Sequence, residues 1–162
     1  MPELKLKADI LAPQHEKILK YSGFHPSRVL KFIPTLIKDV FKITSTNFYE
    51  DFIKWDKSVD PIGFYGAWRG VDPKDFRTSL WVNVKVQGEQ EEKSKKGEVT
   101  IRISGTLMTT LPYTNFLEKI ISRSYSYLYY SERRRRYIAE AKRLFDIFES
   151  EIRKQLEIMV VK

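Results

Sequence analysis

The chain has 162 residues, of which 42% are hydrophobic and 14% aromatic, and it carries 29 Lys and Arg against 21 Asp and Glu, a net charge of +8. That length suits a single domain, 1–162, burying about two-thirds of its unfolded surface, and the apolar content excludes a disordered chain. With no Cys and only His15 and His25, disulfides, thiol nucleophiles and Cys- or His-rich metal centres are excluded, so no cofactor or metal is expected.

In chain order, Leu4, Leu6, Ala8 and Ile10 alternate with Lys5, Lys7 and Asp9, which predicts a half-buried first strand. Ala12-Pro13 ends it. The stretch from Gln14 to Tyr21 reads as a short helix with Ile18, Leu19 and Tyr21 as its apolar side and Gly23 near its end. A second short helix begins at His25-Pro26-Ser27, with Pro26 suited to the first helical position. It buries Val29, Leu30 and Ile33, and Pro34 stops it. Leu36 to Thr46 carries two patterns. Leu36, Ile37, Val40 and Phe41 have helical spacing, whereas Ile37, Phe41 and Ile43 with the following Thr-Ser-Thr favour extended structure; strand is the expectation here.

Strand signals then strengthen. Phe48 to Asp56 alternates aromatic and charged residues, with Tyr49, Ile53 and Trp55 on one parity. Ile62 to Val71 has Phe64, Gly66 and Trp68 on one parity, and Asp72-Pro-Lys-Asp75 is a turn. Phe76 to Gln87 places Leu80, Val82, Val84 and Val86 inward and Ser79, Asn83, Lys85 and Gln87 outward. A charged hairpin loop, 88–97, leads to a last strand with Val99, Ile101, Ile103 and Leu107, closed by Pro112.

From Tyr113 to Ile158 no Gly or Pro interrupts a long helix, whose stripe is Ile138, Ala141, Phe145, Phe148, Ile152 and Leu156. Its upstream half holds Tyr125, Tyr127, Tyr129, Tyr130 and Tyr137 around Arg133, Arg134, Arg135 and Arg136. At about 100° per residue four consecutive Arg fan around the helix, so at least one faces the sheet, its stem packing and its head paired or snorkelling. The total length exceeds what one sheet needs, so a break or overhang is expected near Tyr125 to Glu132.

This order predicts an α+β fold: a curved antiparallel sheet of six or seven strands wrapped around a long C-terminal helix, with two short helices after the first strand. The passage from His25 to Ile43, with its short helix, apolar residue, Pro and following segment, and the Ala12-Pro13 exit from the first strand, resemble the START-like or helix-grip superfamily (polyketide cyclase-like, SRPBCC). That resemblance implies a hydrophobic, lipid-like small molecule held between sheet and helix, more often by a binder than by an enzyme.

Tyr49, Trp55, Phe64, Trp68 and Phe145 are candidates to line such a cavity, as aromatic walls are usual in small-molecule sites. Asp51 and Asp39 are the carboxylates a cyclase or hydrolase variant would use. Arg133 to Arg136 form a candidate anion site, and with the neighbouring Tyr residues they suit nucleic acid, an anionic membrane surface or a homo-oligomer interface. The charged start, Met1-Pro2-Glu3-Leu4-Lys5, and the lack of any stretch of about 20 apolar residues make a soluble cytoplasmic protein the expectation.

Overall fold

The computed structural model describes residues 3–112, 120, 124 and 131–161. Six antiparallel strands form one sheet: β1 (Glu3–Asp9), β2 (Lys17–Phe24), β3 (Phe48–Asp56), β4 (Ile62–Pro73), β5 (Thr78–Gln90) and β6 (Lys96–Pro112). Helix α1 (Val29–Phe41) follows β2, and helix α2 (Ser131–Val161) closes the described chain. The expected α+β sheet with its long C-terminal helix is therefore present.

β3 to β6 form a meander, with β3 at one edge. The other edge of β6 is shared end to end. β1 pairs its Thr106–Pro112 portion and β2 its Lys96–Ile103 portion, both antiparallel. The first two strands thus act as one edge strand interrupted between Ile10 and Glu16.

That arrangement corrects the reading of Gln14 to Tyr21 as a helix. Leu19 and Tyr21 point inward and are buried, while Ile18 and Lys20 are exposed. Ladder pairing to β6 makes period two, not the helical spacing of Ile18, Leu19 and Tyr21, the pattern that counts.

The strand expected over Leu36 to Thr46 is likewise replaced by helix. A 3-10 turn at Pro26–Arg28 runs into α1, which continues through Pro34 to Phe41. Proline inside a helix costs about 3 kcal/mol. Against it, α1 buries Val29, Leu30, Ile33, Ile37 and Phe41 on one face, each worth about 1.5–3 kcal/mol, so burial prevails. Lys42 ends the helix in the left-handed region (φ 53°), and the Ile43 amide donates to the Lys38 carbonyl at 3.1 Å. The predicted hairpin loop over 88–97 is shorter than expected, because β5 extends to Gln90 and β6 starts at Lys96.

Among the described residues the helices cover one face of the sheet, and the other is open. Leu80, Val82, Val84 and Val86 of β5 and Ile101, Ile103 and Leu107 of β6 are at most 1% exposed on the covered face. The buried stripe of α2 is Ala141, Phe145, Phe148, Ile152, Leu156 and Met159, as the spacing predicts, with Ile138 partly buried beside it. Phe145 and Phe148 meet Phe41 of α1 with ring centroids 5.0 and 5.4 Å apart. Gly105 lets α2 come close: a Cβ there would lie 2.3 Å from Phe145 Cζ. The expected continuation of helix over Tyr113–Tyr130, and the expected break near Tyr125, lie almost wholly outside the described residues.

Candidate functional site

Between the C-terminal half of α1, the middle of α2 and the β4–β5 turn lies a groove of about 680 Å³. Leu36, Val40 and Phe41 from α1 and Leu144 and Ile147 from α2 give it an apolar floor. Asp39, Lys42, Asp72, Lys74, Glu140, Arg143 and Glu151 form a rim of both signs. The size falls within the range of small-molecule sites.

Local sequence explains the rim and floor. On α1, Leu36 and Val40 are four apart, one step round from the fully buried Ile33, Ile37 and Phe41. They are half-buried, so they leave apolar surface at the margin of the core. Leu144 and Ile147 do the same on α2, Ile147 being 37% exposed. Lys74 Nζ and Asp72 Oδ2 pair at 2.8 Å with side chains only 11% and 18% exposed, fixing the turn that bounds the groove. Lys42 and Arg143 form no ion pair among the described residues, so their charges face the groove uncommitted to the protein.

Polar contacts tie α2 to the sheet and to the β4–β5 turn. Tyr137 Oη donates to Asp75 Oδ2 at 3.1 Å near the start of the helix. Further along, Lys17 of β2 donates to Asp146 Oδ1 at 3.0 Å and to Glu149 Oε2 at 2.8 Å. Burial works to lower the Lys17 pKa, but hydrogen bonds and charge from Glu149 and Asp146 outweigh it and raise the pKa above 10.5. The Lys17 hydrogen bond, helped by Arg153, holds Glu149 below the ordinary 4.5 despite partial burial.

The five aromatic candidates do not form one wall. Trp68, Phe64 and Phe145 are 1–3% exposed in the covered core. Trp68 Nε1 donates to Glu50 Oε1 at 3.2 Å, and Phe64 lies 5.7 Å from Trp55 between ring centroids. Trp55 is on the covered side of edge strand β3 yet 46% exposed. Tyr49 lies on the opposite, open face. A β-bulge between Glu50 and Phe52 shifts the register of β3 against β4, so Tyr49 no longer shares a face with Ile53 and Trp55.

The same bulge accounts for Asp51. Both its carboxylate oxygens lie 3.0 Å from Arg69 Nε on the open face, so it is an exposed ion-paired group. Asp39 stands on the groove rim. Among Arg133 to Arg136, Arg134 is the one turned toward the sheet. Its Nη2 reaches the Leu6 carbonyl at 3.5 Å, and burial lowers its pKa. Arg133, Arg135 and Arg136 are exposed, and Arg136 pairs with Glu132 at 3.2 Å. Tyr125, Tyr127, Tyr129 and Tyr130 fall outside the described residues.

The groove residues Leu36, Val40, Leu144 and Ile147 escape sequence reasoning as a site. Helical spacing of Leu36 and Val40 was the available signal, and it was masked by the β-favouring Ile43-Thr-Ser-Thr that follows. Among the described residues no three His, Asp or Glu side chains cluster to hold a metal, and no helix is long and apolar enough to cross a membrane.

No family model matches the chain, and no curated protein matches it. A protein of unknown function from Staphylococcus aureus is similar over 99% of this chain and 98% of its own, at 12% identity and a TM-score of 0.32. An uncharacterised protein from Rhizobium leguminosarum is similar over 67% of this chain and 82% of its own, at 8% identity and a TM-score of 0.22.

Proposed function

We propose that the protein is a cytoplasmic binder of a lipid-like small molecule, related in design to helix-grip proteins, and that the ligand sits in the groove between α1 and α2. The observation that carries this reading is the groove itself: about 680 Å³, with an apolar floor and an ionic rim. Its apolar floor suits the body of an amphipathic molecule, and its rim suits the polar head. The long helix over the covered face of an antiparallel sheet supports the kinship. The interior is occupied beneath α2 by Phe145 against Gly105 and beneath α1 by Trp68 with Leu30 against Gly66, so the proposed ligand lies beside the helices rather than under them.

The test uses natively purified full-length protein. Solvent extraction and mass spectrometry should detect an apolar molecule. The apolar dye anilinonaphthalene sulfonate should bind the stripped protein and be displaced by that molecule. Ile147→Asp should weaken the dye by about tenfold, the loss expected from removing one large aliphatic contact, with an unchanged far-ultraviolet spectrum. Absence of both co-purified ligand and dye binding refutes the proposal.

A further inference from the structure

The open face of the sheet carries a second constellation, independent of the groove. Phe52 of β3 and Tyr65 of β4 stack with centroids 4.9 Å apart and planes within 10°. Lys54 Nζ stands 5.3 Å from the centre of the Phe52 ring, and Arg69 lies 5.2 Å from that of Tyr49. Beside Tyr65, a recess of about 320 Å³ is walled by Lys85, Gln87, Thr100, Arg102 and the Glu16 carboxylate that pairs with Arg102. Phe52 remains 40% exposed, so part of its ring meets solvent.

From this arrangement we infer that the open face binds single-stranded nucleic acid. Unpaired bases offer flat faces that stack on exposed rings, which a duplex keeps hidden in its own stack, and a phosphate chain supplies the charge that cations in a row require. Lys20, Lys54, Arg69, Lys85 and Arg102 stand on this one face across neighbouring strands. Asp51 engages Arg69 and Glu16 engages Arg102. Lys20, Lys54 and Lys85 are exposed and form no ion pair among the described residues, which leaves them to meet a polyanion, while Asp56, Glu89 and Glu98 stand on the same face nearer the hairpin ends. In the recess, Gln87 and Thr100 supply a donor and acceptors for a base edge while Lys85, unpaired, meets phosphate. The stacked rings favour this partner, because an unpaired base adds stacking on their flat faces to the charge contacts that any polyanion makes.

Fluorescence anisotropy of full-length protein with labelled oligo-dT and oligo-U of about 12 nucleotides, a duplex of equal length, and heparin as competitor tests this. Single strands should bind more tightly than duplex. With about three phosphate contacts, the logarithmic salt slope should be about −2. Lys85→Glu and Phe52→Ala should each weaken binding by roughly tenfold, while Lys85→Arg and Phe52→Tyr keep it, showing that the fold is intact. Replacing Arg133 to Arg136 by Ala should change binding by less than about twofold. The inference is overturned if the wild-type protein binds no single strand at about 50 mM salt, or if binding survives both Lys85→Glu and Phe52→Ala. It is equally overturned if binding falls only with the four-Arg replacement, which would place the contact on α2, or if Phe52→Ala is silent and heparin competes as a mere polyanion would.

Discussion

The two faces of this sheet are made by the same strands and live in different solvents. On β5, Leu80, Val82, Val84 and Val86 are 0% exposed, and between them Trp81 and Asn83 are half-buried while Lys85 is exposed. The covered face is filled so closely that Gly105 and Gly66 are needed to admit rings from α2 and from β4 itself. The open face carries cations, hydroxyls and rings that meet water. The difference teaches that folding energy and recognition chemistry are segregated here by strand parity, and that a residue's role follows from which side of the pleat it occupies.

The same residue type on opposite faces gives the largest expected contrast. Trp68→Ala on the covered face should cost about 3–5 kcal/mol, as for other buried aromatics, whereas Trp81→Ala on the open face should cost about 1 kcal/mol. Urea unfolding followed by circular dichroism measures both, and equal losses would break the division between faces.

Next in size is a polar exception on the covered face. Thr78 and Thr109 are both 0% exposed, and their hydroxyl oxygens lie 3.0 Å apart. Thr109→Val alone should cost about 1–3 kcal/mol by stranding the Thr78 hydroxyl, while the double change to Val should recover most of that loss. Thr106→Val, on the open side of the same strand, should be nearly neutral. A double variant no more stable than the single one would show that the hydroxyls hold more than each other.

The smallest effect concerns the tie from Lys17 to Asp146 and Glu149. Lys17→Ala should cost about 1 kcal/mol. Because Glu149 is depressed when folded, its contribution is present above pH 4.5 and is lost as pH falls through its lower folded value. Because Lys17 is raised, its share is present below pH 10.5 and is lost as pH rises through its higher folded value. The stability difference between wild type and variant should therefore be flat near neutrality and shrink at both extremes. A difference that grows in acid would rule out the assigned ionic tie.

Much of the architecture was legible where period and burial agree. The alternation from Leu80 to Val86 and the α2 stripe from Ala141 to Leu156 appear as the spacing predicts. Legibility failed where a short apolar run fits two periods. Ile18, Leu19 and Tyr21 became strand because β6 offered a free edge, and Ile37 and Phe41 became helix because one face of α1 could be buried despite Pro34. The candidate site was harder still. A single bulge at Asp51 moved Tyr49 to the other face, and no local pattern announces a bulge. The groove joins residues about one hundred positions apart, Val40 with Ile147, a proximity that only the packing of α1 against α2 creates.

The divided edge beside β6 has a consequence in time. Glu3 is paired with Pro112, and Lys17 with Ile103, so β1 and β2, made before β6, have no partner until β6 is complete. Such long-range closure slows folding, and it leaves an unpaired segment waiting until β6 is made. The regular charges of that segment, Lys5, Lys7 and Asp9 alternating with Leu6 and Ala8, then serve as protection against premature pairing with a neighbouring chain. In the finished molecule β6 is bordered along both sides, and its amides should be among the last to exchange with deuterium.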